Sequence, residues 1–354
     1  MGNLSRRFDG KPSKVRTDNG GKLFIPSDEA DDFRRTLAAR GDAGESAFTA
    51  LALSYVEPFV YETVLPPMKG RLFVEHDTST PYGAISTRYR MFTRTGIANF
   101  DVGGADDFPA TSFFVQEFAH NFYNIAASYR YTMKDLAAAA VAATNGGPPI
   151  NIDLENAIAA REAIERKLDR ITAFGSTSAG DPSIGLVGLL NLPNANVYAL
   201  ADGAQGSTLW STKTPDEIIA DITGIIASQA ASTFERFIPK KLIIPIEDLF
   251  TIAGQSMGDG RSDTVLSYAV RTRKEAGQPI TIESWQYCTG SGAAGADRMV
   301  AYDPDRRYVR HMISREFFQY PPFIHGSKID VECEAATAGV ISPYPISVSF
   351  ADGL

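Results

Sequence analysis

Two glycine-rich motifs are the first places where this sequence could carry chemistry. Gly290-Ser-Gly292-Ala-Ala-Gly295 has the spacing of a dinucleotide-binding loop and follows a predicted strand at 280–288. In such a site a helix opens at the third glycine, so that its N-terminal amides face the pyrophosphate. Residues 297–302 instead have the pattern of another strand. We therefore interpret these glycines as the tip of a hairpin and predict no cofactor.

The second motif, Gly254-Gln-Ser256-Met-Gly258, matches a nucleophile elbow, in which a strand delivers the serine to a tight turn before a helix. A helix predicted at 247–253 precedes this serine, which indicates a helix-ending loop. A hydrolase would also need a base, and no histidine lies in a triad or metal-ligand spacing. The histidines are His76, His120, His311 and His325. The sequence thus predicts no catalytic residue and no metal site.

Composition limits the class of protein. The chain has 354 residues, of which 44% are hydrophobic, so it can bury a large core. Its net charge of −8 argues against a surface that binds nucleic acid tightly, because phosphate binding needs clustered Lys and Arg. Cys288 and Cys333 are expected to be buried thiols. Without an apolar run long enough for a membrane span or a signal peptide, we expect a soluble, cytoplasmic product.

A long β-rich region begins near residue 82. Alternating residues predict a strand that ends at Thr95-Gly96, and a second β-prone run covers 111–131 beyond a polar, glycine-rich tip. Together they predict a two-stranded projection. Such a ribbon is marginal in water, so its aromatic side chains imply that a neighbour covers it. An internal hairpin of an ordinary sheet is the equally supported alternative.

Helices follow this region. Thr132 caps an alanine-rich helix at 133–143, and an apolar stripe predicts a long helix at 153–174 that ends at Gly175. About 22 helical residues would span about 33 Å, which is typical of a brace across an elongated subunit. The string GLVGLLNLPNANV comes next, at 185–197. Residues 186–300 read as a compact α/β unit, and the tail to residue 350 is β-rich.

The order of these elements resembles the major capsid proteins of tailed bacteriophages and prophages, which have the α+β Hong Kong 97-like fold. The resemblance covers residues 47–350. It is carried by a polar arm, the β-extension, the helix start Tyr-Arg-Tyr-Thr-Met-Lys-Asp-Leu at 129–136, the long helix, and the GLVGLLNLPNANV string.

The resemblance implies four parts. They are an N-terminal arm (1–60), an E-loop extension (80–126), a peripheral domain (61–79, 127–185 and 305–354) with the long helix 153–174 as its spine, and an axial domain (186–304).

The resemblance also implies a structural protein of the virion, not an enzyme. Copies would assemble in the host cytoplasm into pentamers and hexamers of an icosahedral shell that encloses double-stranded DNA without sequence specificity. A separate scaffolding protein and a portal protein are expected partners, decoration proteins are left open, and no membrane is involved. The alternatives are an encapsulin-type nanocompartment shell and, from another class, an α/β enzyme that uses Ser256 or the glycines at 290–295.

Contacts between subunits are the predicted functional sites. Arginines on one face of the first strand and aspartates near the tip predict charge pairing between adjacent capsomers, and aromatic residues of the second run predict apolar cohesion. Exposed ion pairs contribute only about 0–1 kcal/mol each, so they would set register more than strength. The predicted contact residues are Arg88, Arg90, Arg94, Asp101, Asp106, Asp107, Phe113 and Phe114.

Overall fold

A computed structural model describes residues 16–17, 23–24, 65–98, 110–144, 151–176, 184–258, 260 and 262–354. The chain forms two units, Met1–Thr63 and Val64–Leu354. In the first unit, strand β1 (Arg16–Thr17) pairs antiparallel with β2 (Leu23–Phe24). The sequence also predicts short helices at 28–40 and 47–56, and both lie outside the described residues.

The described part of the second unit combines helices with two five-stranded sheets and a separate two-stranded ribbon. Its helices are α1 (Gly70–Phe73), α2 (Met133–Thr144), α3 (Ile152–Phe174), α4 (Pro215–Ser232), α5 (Ile246–Gly254) and α6 (Val265–Glu275). Its strands are β3 (His76–Asp77), β4 (Ser86–Thr95), β5 (Ser112–Asn121), β6 (Tyr123–Thr132), β7 (Asn196–Ala199), β8 (Lys241–Ile244), β9 (Thr281–Ser284), β10 (Arg298–Tyr302), β11 (Arg310–Gln319), β12 (Phe323–His325), β13 (Lys328–Ile341) and β14 (Val348–Asp352).

The first sheet has the strand order β7-β14-β10-β8-β9. Strand β8 is buried on both faces: Leu242 and Ile244 belong to a core cluster with α4 and α6, whereas Ile243 belongs to a second cluster that contains Phe73 and Trp285. Alternate residues of a strand point to opposite faces, so the apolar run of β8 reflects cover on both sides.

The second sheet has the order β12-β13-β11-β3, and β6 also pairs with β13. Helix α3 packs on this sheet, where Ile164 and Leu168 share a core cluster with Val331 and Cys333. The predicted long helix is confirmed, with its start one residue earlier, at Ile152. Its cap is Asn151, whose side chain accepts a hydrogen bond from the Leu154 amide at 3.3 Å.

Three local predictions are wrong in their boundaries. The β-prone run 111–131 is two strands, because the chain breaks at Phe122: β5 pairs with β4, and β6 pairs with β13 over its whole length. The predicted strand 280–288 ends at Ser284 and continues as a 3-10 turn. The sequence at Ser262-Asp263 predicts the cap of a helix that runs to Arg271, but the structure places the cap of α6 at Thr264.

The C-terminal strand joins segments that the sequence assigned to different domains. Strand β14 pairs in parallel with β7 and antiparallel with β10. It therefore completes a sheet whose other strands lie within 186–304, although 305–354 was assigned to the peripheral domain. The division into arm, E-loop, peripheral and axial domains stays a prediction. Within the described residues, no helix is long and apolar enough to cross a membrane.

Candidate functional site

The ribbon, defined here as β4 and β5, is exposed to solvent along most of its length. Its strands pair antiparallel from Ser86 opposite Asn121 to Thr95 opposite Ser112. Among the described strands, neither pairs with a third. A two-stranded ribbon without a covering element is marginally stable in water. At its base the ribbon packs on the subunit, because Tyr89 contacts the cluster of Met312, Ala338 and Ile341. Its outer part has no such cover among the described residues.

One face of the ribbon is charged, and its arginines have a partner within the same ribbon. Arg88 donates from Nη1 to Glu117 Oε1 at 3.2 Å, and Arg90 donates from Nε to Glu117 Oε2 at 3.1 Å. Both hydrogen bonds lower the pKa of Glu117 below its usual range, and the one from Arg90 has the larger effect. Sequence analysis missed Glu117, because its pairing depends on a register that the strands alone do not reveal.

The four remaining charged residues predicted at the contact have no described ionic partner or lie outside the described residues. Arg94 lies opposite Phe113 and forms no ion pair with a described residue. Asp101, Asp106 and Asp107 lie outside the described residues. The structure therefore brings Arg88 and Arg90 together, shows no ionic partner of Arg94 among the described residues, and does not describe the predicted acidic tip.

Apolar side chains are exposed on both faces of the ribbon. Phe113 and Phe114 are 69% and 59% exposed. Because they are consecutive in β5, they point to opposite faces. Phe92 is exposed beside Phe113 on the arginine face, and on the other face Phe118 stacks on Tyr89 with ring centroids 5.1 Å apart. Contiguous exposed apolar surface of this kind is typical of an interaction site.

The GLVGLLN string forms a second feature, which we name the helix clasp (residues 185–191 around the C-terminal end of α3). The last four carbonyls of an α-helix have no partner within the helix. Here all four are bonded. The Ile171, Thr172, Ala173 and Phe174 carbonyls accept from Gly175 N at 2.8 Å, Leu189 N at 2.8 Å, Leu190 N at 2.9 Å and Asn191 Nδ2 at 2.7 Å, respectively.

Close backbone contact explains two glycines of this region. A Cβ on Gly188 would lie 2.4 Å from the Ala173 oxygen, and one on Gly175, whose φ is +63°, would lie 2.1 Å from the Leu186 oxygen. The clasp also reaches both sheets, because Val187 accepts from the Val340 amide at 2.9 Å and the Leu190 carbonyl accepts from Arg298. It thus fixes the end of the long helix to β10 and β13.

The two enzyme-like motifs are built into ordinary structure. Gly290 N donates to Asp297 Oδ1 at 2.7 Å, Gly292 N to the Ala296 carbonyl at 2.7 Å, and Ala293 N to Asp352 Oδ2 at 3.0 Å. The amides that would face a pyrophosphate are therefore used by the chain itself, and β10 follows instead of a helix. Ser256 follows helix α5, not a strand, and forms a β-bridge with Thr264.

The titratable side chains show no metal or nucleophilic arrangement in the part of the chain that is described. No group of His, Cys, Asp and Glu there could hold a metal ion. Cys288 and Cys333 are free and buried, as predicted. His311 is buried between Thr172 Oγ1 at 2.9 Å and Thr337 Oγ1 at 2.7 Å, and its ring meets that of His76 edge-on at 4.8 Å.

Comparisons of sequence and structure with known proteins relate this chain to capsid proteins of phages. The family model described as Major capsid protein matches residues 96–354. The capsid of Myoviridae phage XM1 has a TM-score of 0.74 at 16% identity, over 86% of this chain and 98% of that chain. A chain from Mycobacterium phage Cain (TM-score 0.59, 12% identity, 88% and 98% covered) and the capsid of a native GTA particle (0.57, 11%, 88% and 99%) are also similar.

At these identities the structural likenesses show the fold alone. The predicted α+β fold of phage capsid proteins is confirmed, and the Hong Kong 97-like description is consistent with it. A comparison with curated proteins found no matching sequence.

Proposed function

This chain belongs to the major capsid protein family, and on that premise we propose that its copies assemble into the closed, icosahedral head shell of a tailed phage or prophage. The shell would consist of pentamers and hexamers of this polypeptide. It would enclose double-stranded DNA, with a separate scaffolding protein and a portal protein as partners during assembly in the host cytoplasm.

The exposed ribbon is the observation that carries the proposal. Its ten-residue strands carry exposed aromatic side chains on both faces, and no described element of the subunit pairs with them. Burial of such apolar surface contributes roughly 25 cal/mol per Å² before ordering costs are subtracted. A neighbouring copy that covers the ribbon would supply this stabilisation, and a shell provides such a neighbour for every copy.

Charge on the ribbon would set the register of that contact. We propose this role for Arg88, Arg90 and Arg94 and for Asp101, Asp106 and Asp107, as the sequence predicted. Because Glu117 already binds Arg88 and Arg90, Arg94 is the arginine most available to a neighbour. Arg94→Glu should therefore lower particle yield more than Arg88→Gln does.

The acidic balance of the chain suits a container for DNA. A net charge of −8 gives the shell wall little general attraction for phosphate, so packaged DNA could move in and out without strong binding. The family match and the phage neighbours do not favour the encapsulin alternative. The two motifs do not support the enzyme alternative, because Gly290 N donates to Asp297 and Ser256 forms a β-bridge with Thr264.

A ribbon variant tests the proposal. Purified wild-type protein should form regular shells or capsomers by negative-stain electron microscopy and sedimentation. The variant Phe113→Asn/Phe114→Asn should remain folded but lose shells, because it removes apolar contact from both faces. Leu72→Asn is the matched control, since Leu72 is similarly exposed (68%) and belongs to α1, not to the ribbon.

Two outcomes would contradict the proposal at different points. If wild-type protein formed only a small, stable oligomer at every concentration, the shell function would be wrong. If the ribbon variant formed shells in wild-type yield, the shell function would stand, but the ribbon would not be a contact that it needs.

A further inference from the structure

We propose that Arg315 is a positioning residue, which holds the turn before the ribbon and so fixes the direction in which the ribbon leaves the subunit. This inference rests on the proposed shell function and deepens it, because the ribbon is the contact through which copies are proposed to bind one another.

The side chain of Arg315 lies in a cage of aromatic rings. Its Cζ atom is 3.7 Å from the centre of the Phe318 ring, 4.1 Å from that of Tyr82 and 5.2 Å from that of Tyr320. Arg315 Nη1 also donates to Tyr320 Oη at 3.1 Å and lies 3.7 Å from Glu334 Oε1. A planar guanidinium stacks on aromatic rings and donates hydrogen bonds in its plane at the same time, and a lysine ammonium does not stack in this way. We name these five residues the arginine cage.

A β-bulge in β11 brings the cage together. Residues 315 and 318 are three apart, so a regular strand would point their side chains to opposite faces. Arg315 pairs with Ala336, and Phe318 pairs with Glu334, so three steps along β11 match two steps along β13. The extra residue turns both side chains to the face of the sheet that carries Glu334.

Tyr82 is the member of the cage that precedes the ribbon. It lies in the turn 81–84, where Gly83 has a φ of +99°, and β4 begins four residues after it. Tyr82 Oη donates to Glu334 Oε1 at 3.0 Å, and its ring covers the guanidinium of Arg315. The turn is therefore bound to two strands of the second sheet, β11 and β13.

A second attachment holds the ribbon itself. Tyr89 and Phe122 pack on the cluster that contains Met312 and Ala338. Ala338 is four residues from Glu334 along β13, so the two attachments are about 13 Å apart. A ribbon attached at one point can swing about that point, whereas two separated points fix its direction. The cage supplies the second point.

The cage lies outside the hydrophobic core. None of its five residues belongs to a core cluster of the described part of the chain. Tyr82 and Phe318 are 53% and 41% exposed. Loss of the cage should therefore leave the subunit folded while it frees the ribbon to swing.

A swinging ribbon weakens assembly through the time that it spends in other directions. The apparent affinity of a contact falls in proportion to the fraction of copies that are in the competent conformation. A ribbon that is correctly directed about one-fifth of the time should raise the subunit concentration needed for assembly about fivefold.

Distances between spin labels on the ribbon and on the second sheet measure this direction in full-length, unassembled subunits. Labels at Thr93→Cys on β4 and Ser128→Cys on β6, both exposed positions, suit double electron–electron resonance, because the two native cysteines are buried. Wild type should give one narrow distance distribution. Tyr82→Leu and Arg315→Lys should each widen this distribution and raise the assembly concentration about fivefold.

Two controls separate positioning from stability. Tyr82→Phe keeps the ring on the guanidinium and should keep the narrow distribution. Arg271→Lys changes a similar arginine on α6, which lies 5.8 Å from the centre of the Tyr268 ring and pairs with Asp263 at 2.7 Å. This control should change neither the distribution nor assembly. All variants should retain the circular dichroism spectrum of wild type.

The possible results separate the cage from the shell function. A wild-type distribution in Tyr82→Leu and Arg315→Lys would overturn the positioning role and leave the shell function intact. A widened distribution with wild-type assembly would also overturn it, because the direction of the ribbon would then not affect the contact. Equal widening in Arg271→Lys would contradict a role specific to the cage.

Two further cases are decided by the same measurements. If wild-type protein forms no shells, the shell function fails, and the label distances still decide whether the cage directs the ribbon. If circular dichroism shows that Tyr82→Leu does not fold, Arg315→Lys decides, because it keeps the positive charge beside Glu334 and removes only the stacked guanidinium.

Discussion

Gly188→Ala should strongly destabilise the subunit, because Gly188 lets the helix clasp approach the end of α3. The added methyl carbon would lie 2.4 Å from the Ala173 oxygen, 2.5 Å from the Ala173 carbonyl carbon and 2.5 Å from Gly175 N. All three are backbone atoms, so no side chain can move aside. The clasp must shift away from the helix instead.

The expected loss of unfolding free energy follows from the hydrogen bonds that such a shift breaks. Leu189 N and Leu190 N donate to helix carbonyls at 2.8 and 2.9 Å, and Gly188 N donates to Asn191 Oδ1 at 2.7 Å. Three hydrogen bonds at about 1 kcal/mol each, with about 1 kcal/mol of overpacking, give roughly 4 kcal/mol. Alanine also restricts the unfolded chain, which returns up to about 1 kcal/mol. We expect a net loss of about 3 kcal/mol.

Urea unfolding of unassembled subunits, followed by far-UV circular dichroism, measures this loss. Gly254→Ala is the matched control. Gly254 ends helix α5, and a Cβ there would meet no atom within 4 Å. The control should be neutral or slightly stabilising, by up to about 1 kcal/mol. If Gly188→Ala also unfolds within about 1 kcal/mol of wild type, the clasp does not hold the helix end in the way we infer.

Three further predictions concern the core, acid sensitivity and covalent state. The buried side chain of Asp221 (4% exposed) accepts hydrogen bonds from Lys213 Nζ at 2.6 Å and from Trp210 Nε1 at 3.0 Å. Asp221→Asn should therefore lower the free energy of unfolding in urea by about 3–5 kcal/mol. A decrease below about 1 kcal/mol would contradict this prediction. Burial lowers the pKa of His76 to about 4, so the folded state binds fewer protons than the unfolded state, and wild type loses stability as the pH falls from about 6.5 to 4. His76→Phe should recover roughly 2 kcal/mol of the unfolding free energy at pH 4, after allowance for solvent screening. The control His325→Phe, at an exposed position of β12, should recover none. Equal acid sensitivity of wild type and His76→Phe would refute the assignment. Residues 70–133 contain no lysine, so we expect no covalent cross-link between subunits through a lysine of the predicted E-loop. Assembled particles should run as single subunits on reducing, denaturing gels, and covalent ladders would contradict this.

Elements governed by local rules were predictable from the sequence. Thr132 exchanges hydrogen bonds with Asp135 at the start of α2, and Gly175 ends α3. Each of these signals depends on residues within one turn of a helix end, where hydrogen bonds between neighbouring residues determine the backbone conformation.

Features that depend on distant segments were not predictable in this way. The residues on both sides of Phe122 favour strands equally, and the division into β5 and β6 depends on pairing with β13, which lies far along the chain. The pairing of Glu117 with two arginines depends on ribbon register in the same way. The position of the GLVGLLN string after the long helix is visible in the sequence, but its role as a helix clasp follows from backbone contacts that only the fold provides.

Electron cryomicroscopy of particles assembled from the purified protein tests the central claim most directly. Our account predicts closed shells in which both faces of the ribbon, at Phe113 and Phe114, are buried against an adjacent copy. Protein that forms only small oligomers, or shells in which both faces of the ribbon remain exposed to solvent, would contradict it.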